Sequence, residues 1–274
     1  MPELPEVEVV RLGLSPHVAG RRVLEVICCH QKLRLPVPKK KLGRWVVGAK
    51  VAALERRAKY LLFHMDNGAL LVFHLGMTGK LGLFSKALAC QKHDHLRLQL
   101  DTGNEIRFND TRRFGSVQVF TREELTKTDP FAELGPEPFW QEFSPAYLVE
   151  RAAKRTQPVK NFLMDNRVVV GIGNIYANET LFAAGISPVT PAKSLTRTQW
   201  KKIVSESRQV LNKAIACGGT TISDFVNPDG QQGYFQCELQ VYGRGGEPCK
   251  RCKTAIIRTV MAGRATYHCP KCQR

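Results

Sequence analysis

The chain opens Met1-Pro-Glu-Leu-Pro-Glu6, and removal of Met1 would leave Pro2 as a free N-terminus. Inside a chain, proline has no N–H to give and no basic nitrogen. At a terminus it becomes a secondary amine with a lone pair, held stiffly by its ring. An α-amino group has a pKa of roughly 7.7–8.0, so part of it is neutral and nucleophilic near neutral pH. Attack on a sugar or carbonyl carbon yields an iminium ion, which keeps its positive charge without a proton. That cation is an electron sink, and it acidifies the neighbouring C–H for elimination. Glu3 and Glu6 stand close enough in sequence to serve as proton donor and orienting partner.

A second chemistry sits at the other end. Cys249-Lys-Arg-Cys252 and Cys269-Pro-Lys-Cys272 form two CxxC knuckles, a spacing that suits one tetrahedral zinc with two thiolates from each. Four protein ligands leave no position for water, so the zinc is expected to be structural. Between the knuckles, Ala255–Val260 and Thr266–His268 alternate like a β-hairpin, with Ala262-Gly263-Arg264 at its turn. From Tyr242 to Arg274 there are eight Lys or Arg and one acid, Glu247. Such a module is suited to phosphates, and Arg264 at its tip is the candidate to enter a site.

Three further places carry polar or exposed-looking residues. Lys59 follows Arg56-Arg57-Ala58 at a turn between strands, where it could face a phosphate or a reacting sugar. Met77, and Arg112 with Phe114, lie in Gly-flanked polar loops, His74-Leu-Gly-Met-Thr-Gly79 and Asp110-Thr-Arg-Arg-Phe-Gly115. Side chains of that kind can wedge into a base stack and fill the hole left by a displaced base. Gly171-Ile-Gly-Asn174 precedes a helix, whose free amides could approach a phosphate with Asn174 adding a donor. A glycine-punctuated stretch from Gly218 to Gly233 reads as a mobile lid.

The rest of the chain must hold these groups in place. Its 274 residues predict one large or two modest domains. With 41 Lys and Arg against 24 acids, a formal charge of +17 and a pI near 9.7, a polyanionic partner is expected. No signal peptide, membrane span or internal repeat is legible, so a soluble, intracellular protein is expected. Nine cysteines with no paired framework fit a reducing compartment. After a helix from Pro5 to about Val18, strands are expected at Val23–Cys29, Trp45–Leu54, Tyr60–Met65, Ala69–Leu75, His95–Leu100, Glu105–Phe108 and Ser116–Phe120. Many short strands at this spacing favour a β-sandwich, and Lys39-Lys40-Lys41 is expected in a solvated loop. Beyond Gly135-Pro-Glu-Pro138 the periodicity turns helical, over Ser144–Arg155, Pro158–Asp165, Gly173–Ala184 and Thr196–Ala216.

Taken in order, P-E-L-P-E-V-E, R-R-A-K-Y-L, K-H-D-H, R-R-F-G, G-N-I-Y-A-N-E, Q-V-Y-G-R and the four-cysteine ribbon resemble the formamidopyrimidine-DNA glycosylases from end to end. The resemblance implies an α+β chain: a β-sandwich with a leading helix (1–125), a linker (126–138), a helix–two-turn–helix domain with a lesion-recognition loop (139–236), and a C-terminal β-hairpin zinc finger (237–274). It implies excision of 8-oxoguanine and ring-opened purines from damaged double-stranded DNA by a monomeric bacterial enzyme. Location would be cytoplasmic, on the nucleoid. Catalysis would fall to Pro2 as nucleophile and Glu3 as proton donor, with Glu6 holding that end in place. Lys59 would serve β-elimination and Arg264 δ-elimination. DNA contacts would be His93, Arg112, Lys154, Asn174, Met77, Phe114, His74 and Tyr176, with Arg112 facing the orphaned cytosine. Leu12 and Thr111 depart from the family pattern, away from the proposed chemistry.

Two other readings remain open at this point. Endonuclease VIII-type glycosylases share the nucleophile but prefer oxidised pyrimidines; Leu4, and Arg112 with Phe114, count against that. A non-catalytic zinc-ribbon DNA-binding protein would leave Pro2, Glu3, Glu6 and Lys59 without a purpose.

Overall fold

A computed structural model describes residues 2–29, 32–219 and 238–274. They fall into two compact units that divide between Ala132 and Glu133.

The first unit begins with α1 (Leu4–Val18), which buries Leu4, Val7, Val10, Leu14 and Val18 along one side. That recurrence of apolar residues every three or four positions is what packs a helix onto a sheet. Two four-stranded antiparallel sheets follow. One has the order β1 (Val23–Cys28), β6 (Asp94–Leu100), β7 (Asn104–Asp110), β5 (Gly79–Ser85). The other runs β2 (Val51–Arg57), β3 (Tyr60–Met65), β4 (Leu70–His74), β8 (Ser116–Phe120). Their inner faces and α1 share one core. Phe73 links the layers, its ring lying 5.5 Å from Phe63 of β3 and 5.6 Å from Phe108 of β7, both edge-on. The expected β-sandwich with a leading helix is present.

Local expectations fail in two places here. Trp45 ends a short helix, α2 (Lys39–Trp45), rather than starting a strand, and β2 begins only at Val51. Lys39-Lys40-Lys41 therefore lies in α2, where Lys41 Nζ bonds the Glu124 carboxylate at 2.6 Å and the Val119 carbonyl at 3.2 Å. Strand β5 and helix α3 (Arg122–Lys127) were not expected from the sequence.

The second unit carries α4 (Pro145–Ala152), α5 (Val159–Leu163), α6 (Asn174–Ala184) and α7 (Arg197–Ala216). Their starts follow capping chemistry. Ser144 Oγ accepts the Tyr147 N–H, and Thr196 with Gln199 closes a reciprocal capping box. Gly185 ends α6 at φ 72°, a left-handed conformation that glycine adopts without a Cβ penalty. The Pro-rich connector is fastened to this unit: Gly135 N–H donates to Asn166 and Val170 N–H to the Pro136 carbonyl. Last comes a hairpin, β9 (Ile257–Met261) and β10 (Arg264–His268), joined by Ala262-Gly263 at φ 46° and 72°. Positive φ at both turn residues is what a two-residue hairpin loop of type I′ requires. Among the described residues no helix is long and apolar enough to cross a membrane.

Candidate active site and nucleic-acid interface

Pro2, Glu3 and Glu6 are all buried at the start of α1. Glu3 is the N-cap, and the Glu6 carboxylate Oε2 accepts its backbone N–H at 2.9 Å. A carboxylate there satisfies an amide the helix leaves open and sits at the positive end of its dipole. Two residues on, Glu8 bonds Arg56 at 2.9 Å, and Arg56 Nη1 holds the carbonyl of Ala58 at 3.0 Å. Ala58 has φ 54°, left-handed for a residue with a Cβ, and it turns the chain so that half-buried Lys59 follows at the β2–β3 corner.

Register then brings in His74, opposite Tyr60 on β3–β4 with ring centroids 4.9 Å apart. Burial, with the nearby charges of Arg34 and Lys59, holds the His74 pKa down to about 4. Its Nδ1 accepts the Gly76 N–H at 3.1 Å, which assigns the ring proton to Nε2. His74 is thus a neutral ring that shapes the Met77 loop.

Met77 and Phe114 are 39% and 44% exposed, unusual for large apolar side chains in a unit with a full core. The Arg112 guanidinium lies 4.6 Å over the Phe114 ring, a cation–π contact that keeps both side chains together. The two loops touch through backbone. A Cβ on Gly76, whose φ is 66°, would fall 2.4 Å from the Phe114 carbonyl carbon, so only glycine allows this approach. Next to Arg112, Arg113 takes φ 57°. His93 joins the same corner, its carbonyl accepting the Asp110 N–H at 3.1 Å.

In the second unit Lys154 is exposed just past α4. Asn174 opens α6, and one of its amide hydrogens is committed to the Ala265 carbonyl at 3.0 Å; its Oδ1 is buried with no hydrogen-bond partner among the described residues. Lys160, fully buried, reaches the same carbonyl at 3.2 Å and Thr266 Oγ1 at 2.7 Å. Arg264, exposed at the start of β10, is therefore followed directly by a residue whose carbonyl is gripped from two sides. Tyr176 is only 1% exposed and lines a cavity of about 310 Å³ with Phe182, Lys213 and Arg251, so its ring presents almost no surface to solution.

The sequence reading overlooked Glu179. Its carboxylate takes three backbone N–H groups, from Gln240, Val241 and Tyr242, at 2.8–2.9 Å. The one charged residue of an otherwise uncharged helix was the available signal. The lid expectation, Gly218 to Gly233, lies outside the described residues beyond Gly219.

The four cysteine sulfurs all lie within 4.8 Å of one another. Cys249 and Cys272 are 3.9 Å apart, Cys252 and Cys269 3.4 Å. A tetrahedral zinc with Zn–S of about 2.3 Å requires sulfurs about 3.8 Å apart, so the set fits the ion. Each knuckle is tied by backbone: Lys253 N–H to the Cys249 carbonyl at 2.9 Å, Gln273 N–H to that of Cys269 at 3.0 Å. Hydrogen bonding from Thr254 draws Cys252 down to about 6, while burial and the other thiols push Cys272 up to about 12. Four thiolates this close need a cation among them.

Three family models match: the formamidopyrimidine-DNA glycosylase N-terminal domain over residues 1–117, the formamidopyrimidine-DNA glycosylase H2TH domain over 134–226, and the zinc finger found in FPG and IleRS over 246–274. The formamidopyrimidine-DNA glycosylase of Alteromonas mediterranea is 47% identical and that of Idiomarina loihiensis 45%, each over 274 residues and the full length of both chains. The crystal structure of a complex between the Lactococcus lactis FPG (MutM) and a FAPY-dG containing DNA superposes with a TM-score of 0.89 at 32% identity, covering 99% of this chain and 100% of that one. Geometry and comparisons agree: the chain belongs to the formamidopyrimidine-DNA glycosylase family.

Proposed function

We propose that the chain is a base excision repair enzyme, a DNA glycosylase that removes 8-oxoguanine and formamidopyrimidines opposite cytosine and an abasic-site lyase that then cuts the strand. The observation that carries this reading is the full-length family match, in which the P-E-L-P-E motif folds as a capped helix start with Glu3 and Glu6 buried beside Pro2.

With Met1 removed, the Pro2 nitrogen attacks C1′ of the damaged nucleotide while Glu3 supplies the proton that assists ring opening and base loss. The C1′–N bond breaks and an iminium forms between Pro2 and the opened sugar. Its positive charge makes a C2′ proton removable, and the 3′-phosphate leaves in β-elimination, with Lys59 in support. A second elimination expels the 5′-phosphate, water hydrolyses the iminium to release the unsaturated sugar remnant and free the Pro2 amine, and a one-nucleotide gap is left with phosphate at both ends. Guanidinium hardly deprotonates in proteins, so Arg264 acts as a clamp on the leaving phosphate. Cys249, Cys252, Cys269 and Cys272 would hold the zinc, which would supply no chemistry and would keep the Arg264 hairpin folded.

Met77, Arg112 and Phe114 fill the void left by the everted base, and the Arg112 donors face the acceptor edge of the orphaned cytosine. His93, Lys154 and Asn174 hold the backbone. The enzyme works as a monomer on bacterial nucleoid DNA in the cytoplasm.

Borohydride trapping on an 8-oxoguanine:C duplex, with mass spectrometry of the adduct, is the test. A covalent complex mapping to Pro2 supports the reading. An uncut duplex that is bound without adduct would reduce the chain to a DNA-binding module, and an adduct on thymine glycol alone would make it an endonuclease VIII-type enzyme.

A further inference from the structure

We propose that Asp110, through Thr78, is the positioning residue that sets the two wedge loops in register, so that Met77, Arg112 and Phe114 enter DNA as one rigid piece. This rests on the void-filling reading above.

Asp110 closes β7 and pairs with Gly79 at the start of β5, so it stands at the foot of both loops. Its side chain is fully buried. Oδ1 accepts the Thr78 hydroxyl at 2.5 Å from the Met77 loop and the Arg112 N–H at 3.3 Å from the other. Oδ2 accepts the Gly115 N–H at 2.8 Å. Thr78 Oγ1 itself accepts the Arg112 N–H at 3.1 Å, which closes a triangle across the loops. The Asp110 carbonyl takes Arg113 N–H at 3.3 Å and His95 Nε2 at 2.7 Å.

No part of this carboxylate points toward solvent, and it is too deeply placed to reach DNA. Its partners explain its burial: a charged acceptor makes stronger hydrogen bonds than a neutral one, and here they are spent on two loop backbones. Inserting three side chains between stacked bases demands that they arrive together. Two loops hinged independently would lose that, because each would have to be ordered during insertion.

The prediction separates lesion eversion from cleavage of an abasic site, which has no base to evict. Asp110→Asn is informative only if it folds, so Thr78→Val, nearly isosteric and half-buried, is the principal variant. It removes both the charge-assisted bond to Asp110 and the acceptor of the Arg112 N–H, and should slow excision of 8-oxoguanine by about tenfold or more. Stopped-flow fluorescence of a 2-aminopurine beside the lesion should show slower unstacking by the same factor. Cleavage of a pre-formed abasic site should stay within about twofold, and Thr78→Ser should restore the lesion rate. In a Phe114→Ala background, Thr78→Val should add little.

Equal slowing on both substrates, or a Thr78→Ser variant as slow as Thr78→Val, would overturn the proposal. If Phe114→Ala and Arg112→Ala leave lesion excision untouched, the void-filling reading falls first and takes this one with it.

Discussion

The Glu6 carboxylate accepts the Glu3 N–H at 2.9 Å, one turn back along the chain. That bond sets the direction from which Pro2 enters α1, and so the place of its nitrogen once Met1 is gone. Glu6→Ala should lower stability by about 1 kcal/mol as a lost cap. Misplacing a nucleophile costs far more, on the order of 10²-fold, so trapping at Pro2 should fall more steeply than melting temperature does.

Glu3→Gln tests the proton donor apart from the nucleophile. Base excision should drop by roughly 10²–10⁴-fold, while a pre-formed abasic site, with no base to expel, remains a good substrate. Gel assays of the two substrates with one enzyme preparation decide it; equal losses would remove Glu3 from that role.

His74 gives the first unit an acid limit. Its pKa is about 4 folded against 6.5 for the ordinary ring, so protons bind the unfolded chain more tightly. The stabilisation is complete above pH 6.5 and is lost as pH falls from there toward 4. Protonation would also displace the Gly76 N–H from Nδ1. Melting temperatures across this window should fall less for His74→Asn than for the parent protein. Parallel curves would show that other groups set the limit.

Gly76 and Gly103 share a positive φ, 66° and 80°, but differ in their surroundings: a Cβ on Gly103 meets nothing within 4 Å. Gly103→Ala should therefore cost on the order of 1 kcal/mol for conformation alone. Gly76→Ala must also push the Phe114 backbone away, and should cost several times more while selectively impairing lesion excision. Chemical denaturation of the two variants checks it; similar midpoints would mean the loops yield easily.

Removing zinc, by a strong chelator or Cys249→Ser, should abolish DNA binding while the sandwich of the first unit stays folded. Fluorescence anisotropy on a duplex and circular dichroism of the sheets report the two separately. Metal-free protein that still binds would refute it.

The sequence made legible much that depended on side-chain type at short spacing. Paired cysteines, the Ser144 and Thr196 caps and the Ala262-Gly263 turn carry their structure locally. Helix α3 was missed although Thr121 and Glu124 form a capping box, because it buries no residue and so lacks an apolar stripe. Strand β5 was hidden by Gly79 and Gly82, which break strand propensity although Leu81 and Leu83 are buried beside them. Helix α2 shows a single buried residue, Leu42. The Lys41–Glu124 pair spans 83 positions and Asp110–Thr78 spans 32, distances over which no pattern in one sequence can point.

Ala58, Arg113, Lys253 and Ala262 are the four non-glycine residues with positive φ among those described. They adjoin Lys59, the Arg112–Phe114 pair, the first cysteine knuckle and the turn before Arg264. Each costs on the order of 1 kcal/mol that glycine would recover. Breeding this enzyme for heat resistance would therefore find easy gains at these positions. It would harvest them by slackening the segments that carry the residues proposed for the chemistry, so a more durable variant is expected to be a slower one.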